Sequence, residues 1–248
     1  PFKGLIRMKT AHNLSLLIFF PILFNSCKKE PEINPETNNK ILILGASRVE
    51  GNPPYHESFR YELWKLLTAD SLTFDFVGTE SDNNAYPNYL GKSFDTDHEG
   101  RSGWTAKRIY ENLPDWLSET DPPDIVIFST PGGNDALLNL PYSNTISYIN
   151  SIIDIIQESN SDCEIIVEIP APGHSEIMQG TLAEYFENLK TDLILIAETQ
   201  TTEKSDVLTV NMHQGFTDEM LADKVHYNGI GAKFIAEKHY EVLKEIIQ

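Results

Sequence analysis

Two short blocks of this sequence could carry out nucleophilic chemistry together. Gly45-Ala46-Ser47 ends in a serine, and Asp223-Lys224-Val225-His226 places an aspartate three residues before a histidine. A serine hydroxyl is a poor nucleophile at neutral pH unless an imidazole accepts its proton, and the imidazole needs an acceptor that holds its tautomer. Each pattern is also common in ordinary turns. We therefore interpret Ser47, Asp223 and His226 together as a candidate nucleophile, orienting acid and base.

Two further blocks could stabilise a developing negative charge. One is Gly132-Gly133-Asn134-Asp135, in which the side-chain amide of Asn134 could donate a hydrogen bond. The same four residues could instead form an ordinary glycine-rich turn. Gly103, in the segment HEGRSGW, has no side chain, so its N–H can approach a ligand closely. Both residues are candidates for an oxyanion-binding site, which the N–H of Ser47 would complete.

Three neighbours of these blocks are weaker candidates. His98 is a candidate for contact with substrate, because it lies in the same loop as Gly103. Trp104 could form a sugar-binding wall or anchor the following helix in the core, and we favour packing. Arg48 is expected to pair with Glu50 or Asp135 rather than to contact substrate.

Nearly continuous apolar runs alternate along the chain with longer stretches of helical period. This alternation is typical of an α/β sheet with buried parallel strands. The predicted strands are 40–44, 73–77, 124–129, 164–169 and 207–211, and the predicted helices are 58–68, 105–118, 145–158, 181–199 and 229–247.

The expected fold is an α/β three-layer α/β/α sandwich with a five-stranded parallel sheet in the flavodoxin-like order 2-1-3-4-5. Ligands of such folds bind outside the carboxyl ends of the strands. The first three blocks in chain order each follow a predicted strand, and Asp223 and His226 precede the last predicted helix. The elements therefore predict that the four blocks meet at one edge of the sheet.

The order of these blocks resembles that of the SGNH hydrolases, over roughly residues 40–243. The segments DFVGTES, HEGRSGW and DKVHYNGIGAKFIAE are most similar to the small acetylxylan-esterase branch of carbohydrate esterases. The resemblance implies that Ser47 is the nucleophile, that Gly103 and Asn134 bind the oxyanion with the Ser47 N–H, and that Asp223 and His226 complete a triad. It implies a serine esterase for short acyl groups, above all acetyl, on carbohydrate, with no metal or organic cofactor.

Two positions depart from the family pattern. Ala46 stands where the family usually has aspartate, and Tyr227 stands where proline usually follows the histidine. Two alternatives remain open. One is a lipid or thioester acylhydrolase, which would need an apolar groove, and the sequence has no obvious apolar lid insertion. The other is a catalytically impaired glycan-binding surface protein.

The first residues have the order of a bacterial export signal. A positive Lys9 precedes an apolar run over 14–24 and then Cys27. The ending resembles the lipobox of lipoproteins, which implies lipidation of Cys27. We therefore expect residues 1–27 to be signal peptide and lipobox, 28–39 a flexible tether, and 40–248 the hydrolase domain, secreted and lipid-anchored to the bacterial cell envelope.

The charge and cysteine content limit the partners. The formal net charge is −18, and removal of the three basic residues before Cys27 would make it −21. Such a surface repels nucleic acid and favours neutral substrates, so we expect a small-molecule or glycan ester substrate and no nucleic acid. With Cys27 lipidated, Cys163 has no disulfide partner. We expect a monomer whose membrane contact is the lipid anchor at Cys27.

Overall fold

The computed structural model describes residues 39–82 and 84–247. Seven strands and seven α-helices alternate in the order expected for an α/β fold. The strands are β1 (Asn39–Gly45), β2 (Phe74–Val77), β3 (Glu80–Ser81), β4 (Asp97–Gly100), β5 (Ile125–Phe128), β6 (Glu164–Ile169) and β7 (Val207–Asn211). The helices are α1 (Ser47–Glu50), α2 (Arg60–Ala69), α3 (Ala106–Glu119), α4 (Gly133–Leu137), α5 (Tyr142–Ser159), α6 (Gly180–Gln200) and α7 (Gly229–Ile246).

The main sheet has the predicted order. The strands β2, β1, β5, β6 and β7 are neighbours in that sequence and all pair in parallel, which is the order 2-1-3-4-5. Strand β5 is buried at every position, and β6 is buried at all but its first. Burial on both faces accounts for the continuous apolar runs that predicted these strands. The predicted three-layer α/β fold is confirmed.

The sheet has two short strands that the sequence did not predict. Strand β4 pairs in parallel with the end of β1 beyond β2, through Leu44 with Glu99 and Gly45 with Gly100. Strand β3 pairs antiparallel with β4. The expected count of five strands was therefore too low, because segments this short carry no hydrophobic period.

Two apolar cores lie on opposite faces of the sheet. Alternate residues of β1 divide between them, with Leu42 and Leu44 in one core and Ile41 and Ile43 in the other. The first core contains buried residues of α3, α5 and α6. The second contains those of α2 and α7. We call these the α3/α5/α6 core and the α2/α7 core.

The predictions for the N-terminus lie outside the described residues. The signal peptide, the lipidated Cys27 and all of the tether except its last residue fall within residues 1–38. Asn39, which we assigned to the tether, instead begins β1 and donates to the Thr73 carbonyl at 2.8 Å. Among the described helices, none is long and apolar enough to cross a membrane.

Candidate active site

Ser47 lies at the carboxyl end of β1, at the first position of α1. The turn leading to it needs a glycine at position 45, because a Cβ there would come within 2.7 Å of Val49 Cγ2 and 3.0 Å of the Ser129 carbonyl. The tight turn from strand to helix brings the Ser47 hydroxyl to the sheet edge. Ser47 lines a cavity there, as the placement rule for parallel sheets predicts.

Ser47, His226 and Asp223 form one hydrogen-bonded chain. His226 Nε2 lies 2.9 Å from Ser47 Oγ, and His226 Nδ1 lies 2.7 Å from Asp223 Oδ2. The second oxygen of Asp223 accepts the backbone N–H groups of Val225 and His226, both at 2.8 Å. The short Asp-x-x-His loop therefore uses one carboxylate both to close its own turn and to orient the imidazole.

Asp223 is held in its charged form. Partial burial acts to raise the pKa of Asp223, but hydrogen bonds from the His226 ring and from two backbone N–H groups outweigh burial and lower the pKa to about 2. A carboxylate at Nδ1 favours the tautomer with hydrogen on Nδ1. The lone pair of Nε2 then faces the Ser47 hydroxyl, the arrangement that proton removal from a serine requires.

Gly103 lies in a turn beside Ser47 and has a left-handed backbone, with φ +75. No atom lies within 4 Å of the position that a Cβ would take, so its backbone angle rather than crowding is what favours glycine here. Within residues 39–82 and 84–247, neither the Gly103 N–H nor the Ser47 N–H has a hydrogen-bond acceptor. Both groups are therefore free to bind an oxyanion.

Asn134 follows β5 within the short helix α4 and lines the same cavity. Its Nδ2 donates to the Trp104 carbonyl at 2.7 Å, one residue beyond Gly103. An amide group has two hydrogens, so one remains for a ligand. The structure thus brings together Ser47, Gly103, Asn134, Asp223 and His226.

Two carboxylates order the loop that holds Gly103. Glu50 accepts the Ser102 N–H at 2.5 Å. Asp135 accepts the Ala106 N–H at 2.9 Å and the Thr145 hydroxyl at 3.1 Å. The loop is therefore tied on both sides of Gly103, although Ala46 replaces the family's usual aspartate.

The prediction that His98 contacts substrate is wrong. His98 is a buried residue of β4, outside the cavity lining, and its Nδ1 accepts the Gly100 N–H at 2.9 Å. Burial, helped by the positive charges of Arg60 and Arg101, lowers the pKa of His98 to about 3. Its role is to hold the end of β4 as a neutral hydrogen-bond acceptor.

Trp104 packs as favoured and also lines the cavity, so that a contact with substrate stays a prediction. Its ring packs against the α3/α5/α6 core, with the Trp116 ring centroid at 5.1 Å, and it lines the cavity. The guanidinium carbon of Arg108 lies 4.3 Å from its ring centroid. Its position fits a substrate-contacting wall fixed by packing.

Arg48 does not pair with Glu50 or Asp135, as the sequence had suggested. Its buried guanidinium donates to the carbonyls of Ala171 at 2.7 Å, Val225 at 2.8 Å and Pro172 at 3.1 Å. The residue after Ser47 therefore binds the carbonyl of the residue before His226. This cross-link fixes the distance between the two blocks.

His56 belongs to the site but was not predicted there. Its ring stacks on the His226 ring and lines the cavity. Burial, then the proximity of His226, lowers the pKa of His56. The sequence contained no sign of this role, because a stacking contact across 170 positions leaves no local pattern.

The cavity has a volume of about 420 Å³. Besides the residues above, its lining includes apolar side chains of Ile109, Leu137, Met178 and Phe186. Across the described part of the chain, no group of three histidine, cysteine, aspartate or glutamate side chains is arranged to hold a metal ion. The side chains and N–H groups around the cavity can therefore transfer protons and donate hydrogen bonds.

Comparison with known proteins identifies the family. No family model matches the chain, and no curated protein does so either. Among solved structures, a carbohydrate esterase family 3 protein from Talaromyces cellulolyticus is 30% identical, with a TM-score of 0.72, and the match covers 84% of this chain and 97% of that one. The chain belongs to carbohydrate esterase family 3.

Two further solved structures are also similar to the present chain. A Clostridium thermocellum family 3 carbohydrate esterase is 28% identical, with a TM-score of 0.68, over 85% of this chain and 100% of that one. A mutant acetyl esterase described with an acetate ion is 30% identical, with a TM-score of 0.72, over 84% and 97%. The family 3 esterase is accordingly a carboxylic ester hydrolase with the SGNH hydrolase fold.

Proposed function

We propose that the protein is a serine esterase that removes short acyl groups from carbohydrate esters. Ser47 acts as the nucleophile, His226 as general base and acid, and Asp223 as the group that orients the imidazole. The N–H groups of Ser47 and Gly103 and the side chain of Asn134 bind the oxyanion. The continuous hydrogen-bonded chain from Asp223 through His226 to Ser47 is the observation that carries the proposal.

The reaction has two acyl-transfer steps. His226 Nε2 takes the proton of Ser47 as Oγ bonds to the ester carbonyl carbon, and the carbonyl oxygen becomes an oxyanion. When the carbon–oxygen bond to the alcohol breaks, His226 returns the proton to the leaving oxygen. Water then gives a proton to His226 as its oxygen bonds to the acyl carbon. The bond from that carbon to Ser47 Oγ breaks, His226 returns the proton to Oγ, and the acid leaves. Asp223 stays ionised and stabilises the imidazolium in both steps.

The carbohydrate substrate is inferred from the relatives. Two are called family 3 carbohydrate esterases, and a third is called an acetyl esterase and contains acetate. Trp104 lies where a sugar ring could pack, and the acidic chain favours neutral substrates. The name of the acetyl esterase supports acetyl as the acyl group that is removed.

We also propose that the enzyme acts at the cell envelope, attached through lipid on Cys27. The order of charged, apolar and cysteine residues in 8–27 supports this proposal. Metabolic labelling with a clickable fatty acid would test it. Label is expected in the expressed full chain and should be lost in Cys27→Ala.

Hydrolysis of p-nitrophenyl acetate by the wild type, Ser47→Ala and Ser118→Ala tests the enzymatic proposal. Ser118 is an exposed serine of α3 and serves as the matched control. We expect Ser47→Ala to lose at least a thousandfold in kcat and Ser118→Ala to behave as wild type. Acetate release from acetylated xylan and acetylated pectin then tests the carbohydrate substrate. Equal activity of Ser47→Ala and wild type would refute the mechanism.

A further inference from the structure

A buried carboxylate holds the loop between β5 and α4. The register pairs Val167 with Phe128, so Glu168 comes beside Ser129, the first residue after β5. The Glu168 side chain is fully buried. Its Oε2 accepts the Ser129 hydroxyl at 2.9 Å, the Thr130 N–H at 2.8 Å and the Thr130 hydroxyl at 3.1 Å. One oxygen therefore fixes the start of this loop through three hydrogen bonds.

Thr130 has a backbone conformation that needs this support. Its φ is +49, in the left-handed region that is unfavourable for a β-branched residue. Such conformations persist only where surrounding contacts hold them. Two of the three hydrogen bonds to Glu168 Oε2 come from Thr130 itself. Without this acceptor, we expect Thr130 to relax toward a negative φ, which would change the direction in which the chain leaves β5.

Asn134 follows Thr130 within the same tight turn. The Gly133 N–H donates to the Thr130 carbonyl at 3.1 Å, and Gly132 has a left-handed backbone with φ +74. On the far side of Asn134, the Asp135 carboxylate is tied to α3 and α5. The Asn134 amide is therefore held from both sides, and a shift of Thr130 would reach it across a single turn.

Packing alone does not account for a carboxylate at position 168. An ionised carboxylate is costly to bury, and apolar residues of similar volume often replace buried ion pairs without loss of stability. The second oxygen of Glu168, Oε1, lies 2.7 Å from Nε2 of His239 in α7. This contact fixes the orientation of the carboxylate, so that Oε2 faces the loop before α4.

We propose that Glu168 is a positioning residue for the oxyanion site. It holds Thr130 in the left-handed conformation and thereby sets the position of the Asn134 amide relative to Ser47. Glu168 itself lies outside the cavity lining, so it acts without touching the substrate. This inference rests on the proposed esterase function, in which Asn134 binds the oxyanion, and adds a residue to its machinery.

Replacement of Glu168 tests whether the acceptor is needed for turnover. Glu168→Ala removes it and should lower kcat on p-nitrophenyl acetate about tenfold to a hundredfold, with KM changed by less than about twofold. Glu168→Gln keeps a side-chain oxygen for Thr130 and places its NH₂ group toward His239. It should retain most of the wild-type kcat. All rates are measured well below the melting temperature of each variant.

A double-variant cycle tests whether the effect passes through Asn134. In the Asn134→Ala background the oxyanion amide is already absent, so Glu168→Ala should lower kcat by less than about threefold further. His239→Leu is the matched control, because it breaks the same buried pair at Oε1 and leaves the hydrogen bonds of Oε2 in place. It should lower the melting temperature and keep the wild-type kcat.

Thr130→Val gives the same test in a milder form if Glu168→Ala does not fold. Valine keeps the backbone N–H and the shape of threonine but loses the hydroxyl that donates to Glu168 Oε2. Loss of one hydrogen bond of ordinary strength corresponds to about a threefold fall in kcat. This fall should appear in the otherwise wild-type protein and be absent in the Asn134→Ala background.

Three results would overturn the positioning role of Glu168. The first is a folded Glu168→Ala variant with the wild-type kcat. The second is an equal loss of kcat from Glu168→Ala, or from Thr130→Val, in both backgrounds. The third is a loss in His239→Leu as large as that in Glu168→Ala, since a general structural role would produce it.

Failure of the esterase proposal would look different. Retained hydrolysis in Ser47→Ala would count against the esterase mechanism itself, and an unchanged kcat in Asn134→Ala would refute the oxyanion role of Asn134. If both of those variants lose activity while any of the three results above is found, the esterase proposal stands and only the role of Glu168 is wrong.

Discussion

His56 lies flat against His226, with ring centroids 4.1 Å apart and ring planes within 17°. The hydrogen bonds of His226 to Ser47 and Asp223 act at the edge of its ring, whereas His56 covers one face. A backbone hydrogen bond from the Glu57 N–H to the Tyr227 carbonyl, at 2.8 Å, joins the residues that follow the two histidines. The exposed Asp-x-x-His loop thus gains a contact that limits tilting of the imidazole.

We expect His56→Ala to lower kcat about tenfold and to change KM little. Removal of the stacked ring lets His226 tilt away from Ser47, and misplacement of a catalytic group costs rate rather than binding. His56→Phe keeps a flat ring and should retain most of the wild-type kcat. Steady-state kinetics on p-nitrophenyl acetate give the two constants separately.

The downfield proton resonance of His226 Nδ1 gives an independent measurement of this effect. A well-held hydrogen bond to Asp223 should give a sharp signal in the wild type and in His56→Phe. The signal should broaden in His56→Ala because the ring moves and exchanges with solvent. If His56→Ala and His56→Phe have the same kcat and the same spectrum, the stacked ring does not position His226.

Asp223→Asn should lower kcat by about a thousandfold to ten-thousandfold. In the Ser-His-Asp template of the serine proteases, the corresponding exchange costs about 10⁴, because an amide stabilises the wrong tautomer of the histidine. Single-turnover acylation followed by stopped-flow absorbance measures the chemical step. A loss below tenfold would mean that Asp223 does not orient His226. Asp218→Asn, at a partly exposed aspartate that accepts a hydrogen bond from Ser175, is the control.

Asn134→Ala should lower kcat by about a hundredfold to a thousandfold. Loss of one oxyanion donor typically has this effect, and the donor acts in the transition state more than on bound substrate. Asn134 also holds the Trp104 carbonyl, so a melting curve must show that the loop remains folded. A variant whose KM rises while its kcat stays constant would assign Asn134 to substrate binding instead.

Glu168 and His239 form a buried pair that should make stability depend on pH. His239 Nε2 lies 2.7 Å from Glu168 Oε1, and both side chains are fully buried. Burial acts to raise the pKa of Glu168, but hydrogen bonds from His239, Ser129 and Thr130 outweigh it and lower the pKa below its ordinary value of 4.5. A pKa lowered by folding stabilises the native state above pH 4.5, and this contribution is lost as the pH falls through the native value.

We therefore expect Glu168→Gln to lower the free energy of unfolding at pH 7 by about 1.5–3 kcal/mol, the usual contribution of a hydrogen bond to a charged group. The difference from wild type should shrink at acidic pH, where Glu168 itself becomes protonated. Urea unfolding at pH 7 and at successively lower pH measures both values. A constant difference at every pH would show that the charge of Glu168 does not matter.

The sequence predicted the parts of the fold that depend on local pattern. Strand β6 and strand β7 have the predicted bounds, because their apolar runs are bordered by polar residues. The order of the blocks predicted which residues would meet at one sheet edge, and the structure brings them together there. His98 was misjudged because four residues of β4 are too few to reveal a strand, so its burial could not be foreseen.

The long-range contacts of side chains could not be predicted from the sequence. Arg48 binds backbone carbonyl groups. Every residue has such a group, so the residue types in the sequence do not reveal which ones Arg48 binds. His56 meets His226 only because the loop between α1 and α2 and the loop before α7 fold together. The cavity depends on how the side chains of α3, α4 and α6 leave space between them, and this volume has no signature in the order of residues.

The contact of Arg48 with the Val225 carbonyl joins the first and last blocks into a single structural unit. The two segments are 177 positions apart, yet neither can shift by a bond length without breaking a hydrogen bond of the other. A designer who transplants the Asp-x-x-His loop into a related scaffold would need to bring the arginine with it.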